Sequence, residues 1–257
     1  MSAGRPRNVV VTGGSGPSGI AAARALRNAG HTVFTVGSDG PRIESAAAEA
    51  GSGVIPLVCD LADLAQVRSL HTAVHARLAA TGGSVDGVIH LVGGWRGAKG
   101  ITDQTDEDWE FLERGAITTL RNVTRVFYDD LAASDAGRFA MVSSTAAGKP
   151  TAGGASYAAA KAAAEAWTLA VADGFHRGQA GAAGSGADAV PVEQRSAAVV
   201  FVVKALVDAA MRAKSPDRRF PGYTDVEDLA AAAAALLTSP AAELNGRRLL
   251  LGPEPRH

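Results

Sequence analysis

The chain alternates between short runs rich in β-branched residues and longer stretches with a helical pattern. We expect strands over residues 8–11, 32–36, 54–58, 87–92, 138–143, 197–203 and 248–251. Helices are expected over residues 18–28, 64–78, 106–128, 156–174 and 226–237. Strands and helices that alternate in this way form a parallel sheet with helices on both faces. The pattern therefore predicts an α/β fold built on a doubly wound parallel sheet.

The chain of 257 residues is long enough for one large α/β domain, and the alternating pattern accounts for nearly all of it. We therefore expect a single domain over residues 1–257. The exception is the segment 176–195, which is rich in glycine and alanine and has no apolar period. This composition is typical of flexible chain, so we expect an insertion there.

Charge and hydropathy exclude several kinds of partner. The formal net charge is −1, which gives no basic surface for nucleic acid. The longest apolar runs, such as 229–237, are too short or too rich in alanine to cross a bilayer, and residues 1–7 contain no signal-peptide core. The single cysteine, Cys59, cannot form an internal disulfide and is expected to be a small buried residue. We expect a cytoplasmic protein whose partner is a small molecule.

The segment TGGSGPSG, from Thr12 to Gly19, joins the first expected strand to the first expected helix. A strand, a glycine-rich turn and a helix start place unpaired backbone N–H groups and the positive end of the helix dipole where a pyrophosphate can bind. Glycine-rich turns also connect strands to helices without binding a ligand. This feature alone is therefore weak evidence for a nucleotide site.

A second motif, SYAAAK, supplies Tyr157 and Lys161 four residues apart, and Ser144 precedes the tyrosine by 13 residues. A strand end and a helix face can bring these three groups to one point. Together with the glycine-rich turn, the motif resembles the short-chain dehydrogenase/reductase family, whose members carry Thr-Gly-x-x-x-Gly-x-Gly and Tyr-x-x-x-Lys. The resemblance covers almost the whole chain. It implies a Rossmann-type fold, a nicotinamide cofactor and a homodimer or homotetramer that assembles through the alanine-rich helix containing Tyr157.

The resemblance also assigns roles to the three groups. Tyr157 corresponds to the general acid or base for the substrate oxygen, and Ser144 to the serine that orients the substrate carbonyl. Lys161 corresponds to the lysine that lowers the pKa of the tyrosine and holds the nicotinamide ribose. The physical need is clear, because an unperturbed phenol titrates near about pH 10 and a neighbouring cation favours the phenolate.

The cofactor contacts implied by the resemblance are Gly13, Ser15, Ser18, Gly19, Ile20, Ser38, Asp60, Leu61 and Gly93, together with Tyr157 and Lys161. Ser18, Gly19 and Ile20 are expected to offer backbone donors, and Ser15 a hydroxyl. Asp60 corresponds to an aspartate at the adenine amino group. An alternative role for Asp60 is the N-cap of the following helix, where aspartate is favoured.

Two positions bear on how a cofactor would bind. Pro17 stands where the family usually has its second glycine, but proline is tolerated at the first position of a helix, where its missing N–H has no intrahelical partner. The second expected strand runs into Gly37, where NAD-binding proteins of this fold generally place a carboxylate. This favours NADP, with NAD possible, and makes Arg42 a candidate for the 2′-phosphate.

The chain departs from the family pattern at three further places. The usual Asn-Asn-Ala-Gly after the fourth strand is HLVG, from His90 to Gly93. The asparagine that often completes the family's proton relay is replaced by Ala116 or a neighbour. The usual Pro-Gly after the sixth strand aligns with Lys204 and Ala205. These departures affect the proton relay and the wall behind the nicotinamide.

One departure points to a substrate. The segment VGGWRGAKG, from Val92 to Gly100, is similar to the Gly-Gly-Trp-x-Gly-Gly stretch of dihydropteridine reductase, which also lacks the relay asparagine and reduces a quinonoid pterin. Trp95 then lines a flat substrate site beside Ser144, since an aromatic face suits stacking on a planar heterocycle. The alternative is that Trp95 packs against the cofactor or the following helix.

Two other features carry weaker signals. His71 and His75 have a metal-ligand spacing, but no carboxylate or third ligand accompanies them in the sequence, so we expect a solvated helix face and no metal. Residues 205–224 fall where the family has its substrate lid. Within them Arg218 and Arg219 either meet an acidic substrate or belong to a solvated mobile loop.

Two functions of different classes follow from these observations. The first is an NAD(P)H-dependent oxidoreductase that transfers a hydride to a carbonyl or C=N group of a small substrate, for which a cyclic compound is one candidate. The second is a redox-inactive relative that binds the nucleotide as a sensing or structural ligand, for which Pro17, Lys204 and the missing asparagine are the evidence. Ser144, Tyr157 and Lys161 favour the first.

Overall fold

The computed structural model describes residues 5–81, 83–181 and 193–252. The main strands are β1 (Asn8–Thr12), β2 (Thr32–Gly37), β3 (Ile55–Val58), β4 (Gly87–His90), β5 (Arg138–Ser144), β6 (Ala197–Val203) and, after two short strands, β9 (Arg248–Leu250). They form one sheet in the order β3-β2-β1-β4-β5-β6-β9, and every pair is parallel. The short strands β7 (Leu206–Val207) and β8 (Thr224–Asp225) pair with each other.

The helices are α1 (Pro17–Asn28), α2 (Gly40–Ala50), α3 (Leu64–Leu78), α4 (Asp106–Glu113), α5 (Thr119–Ala133), α6 (Ala155–Gly181), α7 (Ala209–Lys214), α8 (Val226–Leu236) and α9 (Ala241–Leu244). Helices α1, α2, α8 and α9 pack on one face of the sheet, whereas α3, α5 and α6 pack on the other. The strand order reverses between β1 and β4, which makes this a doubly wound, Rossmann-like single domain. The predicted fold class is confirmed.

The core lies on both faces of the sheet because its central strands have no polar side. All seven residues of β6, AAVVFVV, are buried, as expected for a parallel strand covered by helices on both sides. Phe127, Phe139 and Phe175 fill the layer under α3, α5 and α6. Burial of each such ring stabilises the fold by about 1.5–3 kcal/mol. Cys59 is buried at the end of β3, as predicted, and burial raises the pKa of its thiol to about 11.

The expected helix over 106–128 differs from the structure in two ways. It continues to Ala133, and a π-helical turn, Arg114–Thr118, separates α4 from α5. Such turns are rare and occur mostly at functional sites. Ala116, the position considered for the relay asparagine, is buried in this turn beside Tyr157 and Ala160.

The prediction of a flexible insertion over 176–195 is wrong for its first six residues. Residues 176–181 are the last part of α6, and residues 182–192 lie outside the described residues. Within this end of the helix, Gln179 is buried and its carbonyl accepts hydrogen bonds from the backbone N–H groups of Arg195 and Ser196. Gln179 therefore fixes the start of β6, a contact that the composition of 176–181 does not indicate.

The expected lid, residues 205–224, contains β7, α7 and a loop from Ser215 to Tyr223. Because β7 pairs with β8, the two ends of this lid lie side by side. Among the described helices, none is long and apolar enough to span a bilayer.

Candidate active site

A cleft of about 1130 Å³ opens at the carboxyl ends of the strands. Its walls come from the glycine-rich turn, the loop after β4, the end of β5, the first turns of α6 and the lid. Ligands of doubly wound sheets bind at this edge, where the strand order reverses. The volume exceeds that of a typical pocket for one small molecule, so the cleft has room for a cofactor and a substrate.

The glycine-rich turn is packed too tightly for side chains at two of its glycines. Gly13 has φ +74°, and a Cβ there would lie 2.6 Å from the carbonyl oxygen of Leu91. A Cβ on Gly19 would lie 2.4 Å from the carbonyl oxygen of Gly13. This close packing brings the start of α1 to the end of β1, which is the arrangement that binds a pyrophosphate.

Pro17 is the first residue of α1, as predicted, so its ring fits the helix start without breaking a hydrogen bond. The N–H groups of Ser18 and Gly19 fall in the first turn, where helix geometry supplies no partner. Ile20 differs from the expectation. Its N–H bonds to the carbonyl oxygen of Gly16 at 3.0 Å, because the fourth helical position is the first to find a partner within the helix.

A smaller cavity of about 350 Å³ lies between the glycine-rich turn and α2, and Ser15, Ile20, Arg42 and Ser45 line it. The Ser15 hydroxyl is buried and has no hydrogen-bond partner among the described residues. Ser38 follows β2 and is exposed. The nearby Asp39 uses its carboxylate to accept from the backbone N–H of Arg42 and so caps α2.

The Asp60 carboxylate binds the π-helical turn and does not cap the helix that follows. It accepts from Arg114 Nη2 at 2.6 Å and from the backbone N–H of Ala62 at 3.0 Å. The N-cap of α3 is Asp63, so the alternative role of Asp60 as that cap is wrong. The carbonyl oxygen of Leu61 accepts from Asn122, a buried amide on α5 that sequence reasoning missed.

The three groups of the second motif meet in the cleft. Ser144 is the buried last residue of β5, and Tyr157 lies in the first turn of α6. Lys161 lies one turn further on, is buried, and donates from Nζ to the carbonyl oxygen of Val142 at 2.8 Å. A Cβ on Gly93 would lie 3.2 Å from this Nζ, so the glycine leaves the ammonium group its space.

Burial dominates the electrostatics of this group. It raises the pKa of Tyr157 above its usual value of 10, and the hydrogen bond with Ser144 acts in the opposite direction. Burial also lowers the pKa of Lys161 to about 8, against the influence of Glu165. Lys161 is not among the groups that shift this pKa in the structure, and its Nζ lies 6.0 Å from the ring centroid, so its role toward the tyrosine stays a prediction. The phenol is therefore protonated at neutral pH.

His90 connects the glycine-rich turn to the π-helical turn. Its Nδ1 lies 2.8 Å from Thr12 Oγ1, and its Nε2 lies 3.2 Å from Thr119 Oγ1. Thr119 donates its hydroxyl hydrogen to the carbonyl oxygen of Gly115, so it can only accept from Nε2–H. Nδ1 therefore accepts from Thr12. Burial and then the charge of Lys161 lower the pKa of His90 to about 3, which keeps the ring neutral.

Comparison with known proteins decides the family. A family model described as short chain dehydrogenase matches residues 7–179 of this chain. The chain belongs to that family. Membership makes it an NAD(P)-dependent oxidoreductase of the short-chain dehydrogenase/reductase type. Comparison with curated protein sequences gives no match.

Solved structures show the same fold at low sequence identity. An NADPH-bound short chain oxidoreductase from Pseudomonas aeruginosa PAO1, described as containing an atypical catalytic center, is 21% identical with a TM-score of 0.79, covering 98% of this chain and 97% of that one. A short-chain type dehydrogenase/reductase from Mycobacterium ulcerans is 20% identical with a TM-score of 0.76, covering 95% of this chain and 87% of that one. These likenesses support the fold.

In this short-chain dehydrogenase, the loop after β4 is anchored by residues next to Trp95 rather than by Trp95 itself. Arg96 stacks 4.3 Å from the ring centroid of Phe111 and pairs with Asp108 at 2.9 Å. Asp108 in turn donates its backbone N–H to Thr105, which caps α4. Trp95 stays 71% exposed at the cleft, so the alternative that it packs into the following helix does not hold.

Gln104 is a second residue that sequence reasoning missed. Its amide nitrogen donates to the carbonyl oxygens of Gly100 and Ala152, and its carbonyl accepts from the hydroxyl of Ser156 at 2.7 Å. It therefore ties the loop after β4 to the segment just before Tyr157. Its position after a run of loop residues carried no signal for this contact.

The charged side chains that line the cleft are all cationic. They are Lys149, Lys161, Lys204 and Arg218, and no carboxylate is among the described lining residues. Lys204, which stands in place of the family's proline, donates to the carbonyl oxygen of Pro221 at 3.1 Å. Of the two lid arginines, Arg218 lines the cleft and Arg219 does not. The described lining of the cleft thus carries only positive charges.

His71 and His75 lie far from this cleft on α3. The expectation that no third ligand accompanies them is wrong, because Asp130 of α5 contacts both rings. Its distance from them in sequence is 55 residues or more, so spacing alone gave no sign of it.

Proposed function

We propose that this short-chain dehydrogenase uses NADPH to reduce a carbonyl or C=N group of a small, planar, anionic substrate. The observation that carries the proposal is the meeting of Ser144, Tyr157 and Lys161 in one cleft beside the glycine-rich turn. Ser143 in this cleft and Ser15 in the smaller cavity each have a buried hydroxyl without a partner among the described residues, which fits a polar ligand, since buried polar groups normally have partners.

The residues present fit a nicotinamide dinucleotide. The N–H groups at the start of α1 would hold its pyrophosphate, and Lys161 would hold the nicotinamide ribose. Asp60 and the Leu61 backbone would contact the adenine and Ser38 the adenosine ribose, while Gly93 leaves space beside Lys161. When bound, such a cofactor supplies a hydride to the substrate.

Proton transfer is the part of the reaction that belongs to this chain. A carbonyl or imine that accepts a hydride develops negative charge on its heteroatom, and Tyr157, protonated at neutral pH, donates a proton to it. Ser144 orients the same heteroatom from the end of β5 through its hydroxyl.

NADP is favoured over NAD by the surface beside β2. The strand ends at Gly37 without a carboxylate, and Arg42 lines the small cavity next to Ser15. A 2′-phosphate would gain the arginine and meet no acid at the strand end. Glu49 also lines this cavity, and Arg24, 3.8 Å away, moderates the negative charge of Glu49.

Replacing Ser38 with aspartate tests this preference. Gly37 is unsuitable, because a Cβ there would lie 2.5 Å from the Ser15 hydroxyl. Calorimetry should show tighter binding of NADPH than of NADH to the wild type, and Ser38→Asp should weaken NADPH at least about tenfold through repulsion. Ser69→Asp adds the same charge on the exposed face of α3 and should change neither affinity. Equal affinities of the wild type would contradict the preference.

The cationic lining of the cleft and Trp95 support the choice of substrate. Arg218, Lys149 and Lys204 suit a carboxylate or phosphate group, and the exposed ring of Trp95 offers a flat apolar face. The likeness of residues 93–97 to dihydropteridine reductase agrees with a planar heterocycle. The hydride acceptor would then lie between Trp95 and Ser144.

The experiment is a substrate panel followed by NADPH absorbance at neutral pH. Carbonyl, imine and quinonoid compounds should each be offered in an anionic and a neutral form. We expect turnover with at least one class, faster for the anionic form. The redox-inactive alternative takes over if no class reacts while NADPH still binds. Pro17 no longer favours that alternative, because it fits the first position of α1.

Assembly and location complete the proposal. A homodimer or homotetramer through α6 is favoured by its small residues and by Leu169, which is 38% exposed on that helix. A cytoplasmic location agrees with the free cysteine. Sedimentation of the full chain should give a mass of two or four copies, and Leu169→Lys should shift it toward the monomer.

A further inference from the structure

Helices α3 and α5 carry a cluster of three metal-ligating side chains outside the cleft. His71 and His75 lie one turn apart on α3, with ring centroids 4.3 Å from each other. Asp130 of α5 faces both rings. Its Oδ2 lies 2.7 Å from His71 Nε2, and its Oδ1 lies 2.8 Å from His75 Nε2. One carboxylate therefore bridges two imidazoles.

The three groups converge on one point. One ligand atom from each lies within 4.8 Å of the other two. His75 Nε2 is buried and has no hydrogen-bond partner among the described residues, although Asp130 Oδ1 lies only 2.8 Å away. The nitrogen thus sits near the carboxylate without being satisfied by it, whereas His71 does bond to Asp130.

We propose that His71, His75 and Asp130 bind one divalent transition-metal ion of the zinc type. Two imidazoles and a carboxylate are a ligand set that zinc uses, with metal–ligand distances of about 2.0–2.2 Å. Ligands at such distances on a tetrahedral ion lie about 3.3 Å apart. The two nitrogen–oxygen distances are about half an ångström shorter than this, so rotation of the histidine rings away from the carboxylate makes room for an ion bound to one of its oxygens. Water takes the fourth position.

Partial exposure of the histidines permits that movement, and burial of the Asp130 carboxylate shields its bond to the ion. The Asp130 side chain is 12% exposed, and the two histidines are 31% and 36% exposed. The edge of Phe127 packs against His71 with centroids 5.2 Å apart and covers one side. The histidines are open enough to rotate and to admit an ion, while the carboxylate is held by the fold.

The site is structural rather than catalytic. None of His71, His75 and Asp130 lines the cleft, and about 16 Å of helix separates Asp130 from Thr119, the contact of His90. An ion there links α3 to α5 and stabilises the folded state, because the unfolded chain does not bring the ligands together. Activity is therefore expected to be independent of it.

The test uses the full chain with any affinity tag removed and with metal stripped by a chelator. Zn²⁺ should bind with one ion per chain in competition with a chromophoric chelator, and Co²⁺ should give the visible absorption of a low-coordinate site. Zn²⁺ at 100 times its Kd should raise Tm by roughly 5 °C. NADPH oxidation should stay the same with and without the ion.

Asp130→Asn separates a metal ligand from a hydrogen-bonding partner, since the amide keeps the size and can still bond to His71. This variant and His71→Ala should each weaken Zn²⁺ at least about tenfold. His176→Ala, which removes an exposed histidine elsewhere, should bind as the wild type does. Circular dichroism confirms that each variant is folded, and His71→Gln replaces His71→Ala if that one is not. Absent binding, or unchanged binding by folded Asp130→Asn, overturns the proposal.

Discussion

The two sides of the cleft are built differently. On the inner side, Ser144, Lys161 and His90 are each less than a tenth exposed, and each is fixed by a backbone or hydroxyl partner. On the outer side, Trp95 is 71% exposed and Arg218 is an exposed residue of the lid. The inner groups are positioned by β5, β4 and α6, whereas the outer groups are positioned by loops.

This difference suits the inner side to proton transfer and the outer side to the selection of a substrate. Proton transfer requires donors held within hydrogen-bond distance, which buried side chains on strands and helices provide. Recognition of a substrate tolerates more movement and is commonly carried by loops over a rigid scaffold. On the inner side Ser144 and Lys161 match the family motif and His90 departs from it, while the outer side carries the departures at Trp95 and Lys204. We therefore expect substitutions on the inner side to reduce turnover and those on the outer side to change substrate choice.

The largest effect is expected on the inner side, from Tyr157→Phe. Loss of the phenolic proton should lower kcat by about 10²–10⁴, because proton donation to the developing anion is lost. NADPH affinity should change little, since the ring remains. Steady-state kinetics and calorimetry check the two parts, and Tyr128→Phe, which removes a phenol outside the cleft, should retain full kcat.

Full activity of Tyr157→Phe would contradict the claim that the inner side of the cleft supplies the proton. It would show that the substrate takes its proton from water, as a readily protonated quinonoid compound can. The inner side would then serve hydride transfer without acid catalysis.

The next effect concerns His90 and pH. The folded ring resists protonation down to about pH 3, whereas an unfolded histidine binds a proton below its ordinary pKa of 6.5. The unfolded state therefore gains protons first, and stability is lost as pH falls from 6.5 toward 3. At pH 4.5 this group alone lowers the free energy of unfolding by about 3 kcal/mol relative to pH 7.

His90→Asn removes that titration while keeping a donor and an acceptor between Thr12 and Thr119. The loss of unfolding free energy between pH 7 and 4.5 should shrink by about 3 kcal/mol, measured by denaturant titration at both values. His176→Asn at an exposed site should leave the loss unchanged. Parallel curves for the wild type and His90→Asn would show that the inner side is less sealed than the structure indicates.

Sequence patterns predicted the fold and the inner side well because both depend on local signals. Strand bounds agree within one or two residues, and the motifs place Ser144 and Tyr157 in one cleft. Helix α2 was missed although Ile43, Ala46 and Ala47 follow a helical period, because its start at Gly40 and Pro41 resembles a loop.

Contacts between distant segments were not predictable from spacing. Asp130 joins the α3 histidines only because α5 packs on α3, and Gln179 binds the start of β6 across residues of loop-like composition. His90 was noted only as a missing asparagine. Its role depends on Thr12 and Thr119, which the fold brings to either side of the ring.

On the outer side, Arg218→Ala should raise KM for an anionic substrate about tenfold and leave kcat within a few-fold. A charge-assisted hydrogen bond is worth about 1.5–3 kcal/mol, and exposure of this arginine reduces it. A neutral analogue should show no change in KM. Arg219→Ala is the matched control, since the neighbouring arginine does not line the cleft. Equal effects of the two variants would mean that net charge near the lid, rather than a contact, selects the substrate.

The smallest effect is expected from Trp95. Its ring rests beside Gly97, where a Cβ would lie 2.7 Å from the indole, and otherwise faces the cleft. An aromatic pair is worth about 0.5–1.5 kcal/mol beyond its buried area, so Trp95→Leu should raise KM for a planar substrate by a few-fold to about tenfold. An aliphatic substrate of the same charge should be unaffected, and Trp95→Phe should keep most of the affinity. If kcat falls instead and NADPH binds more weakly, Trp95 packs on the cofactor and belongs with the inner side.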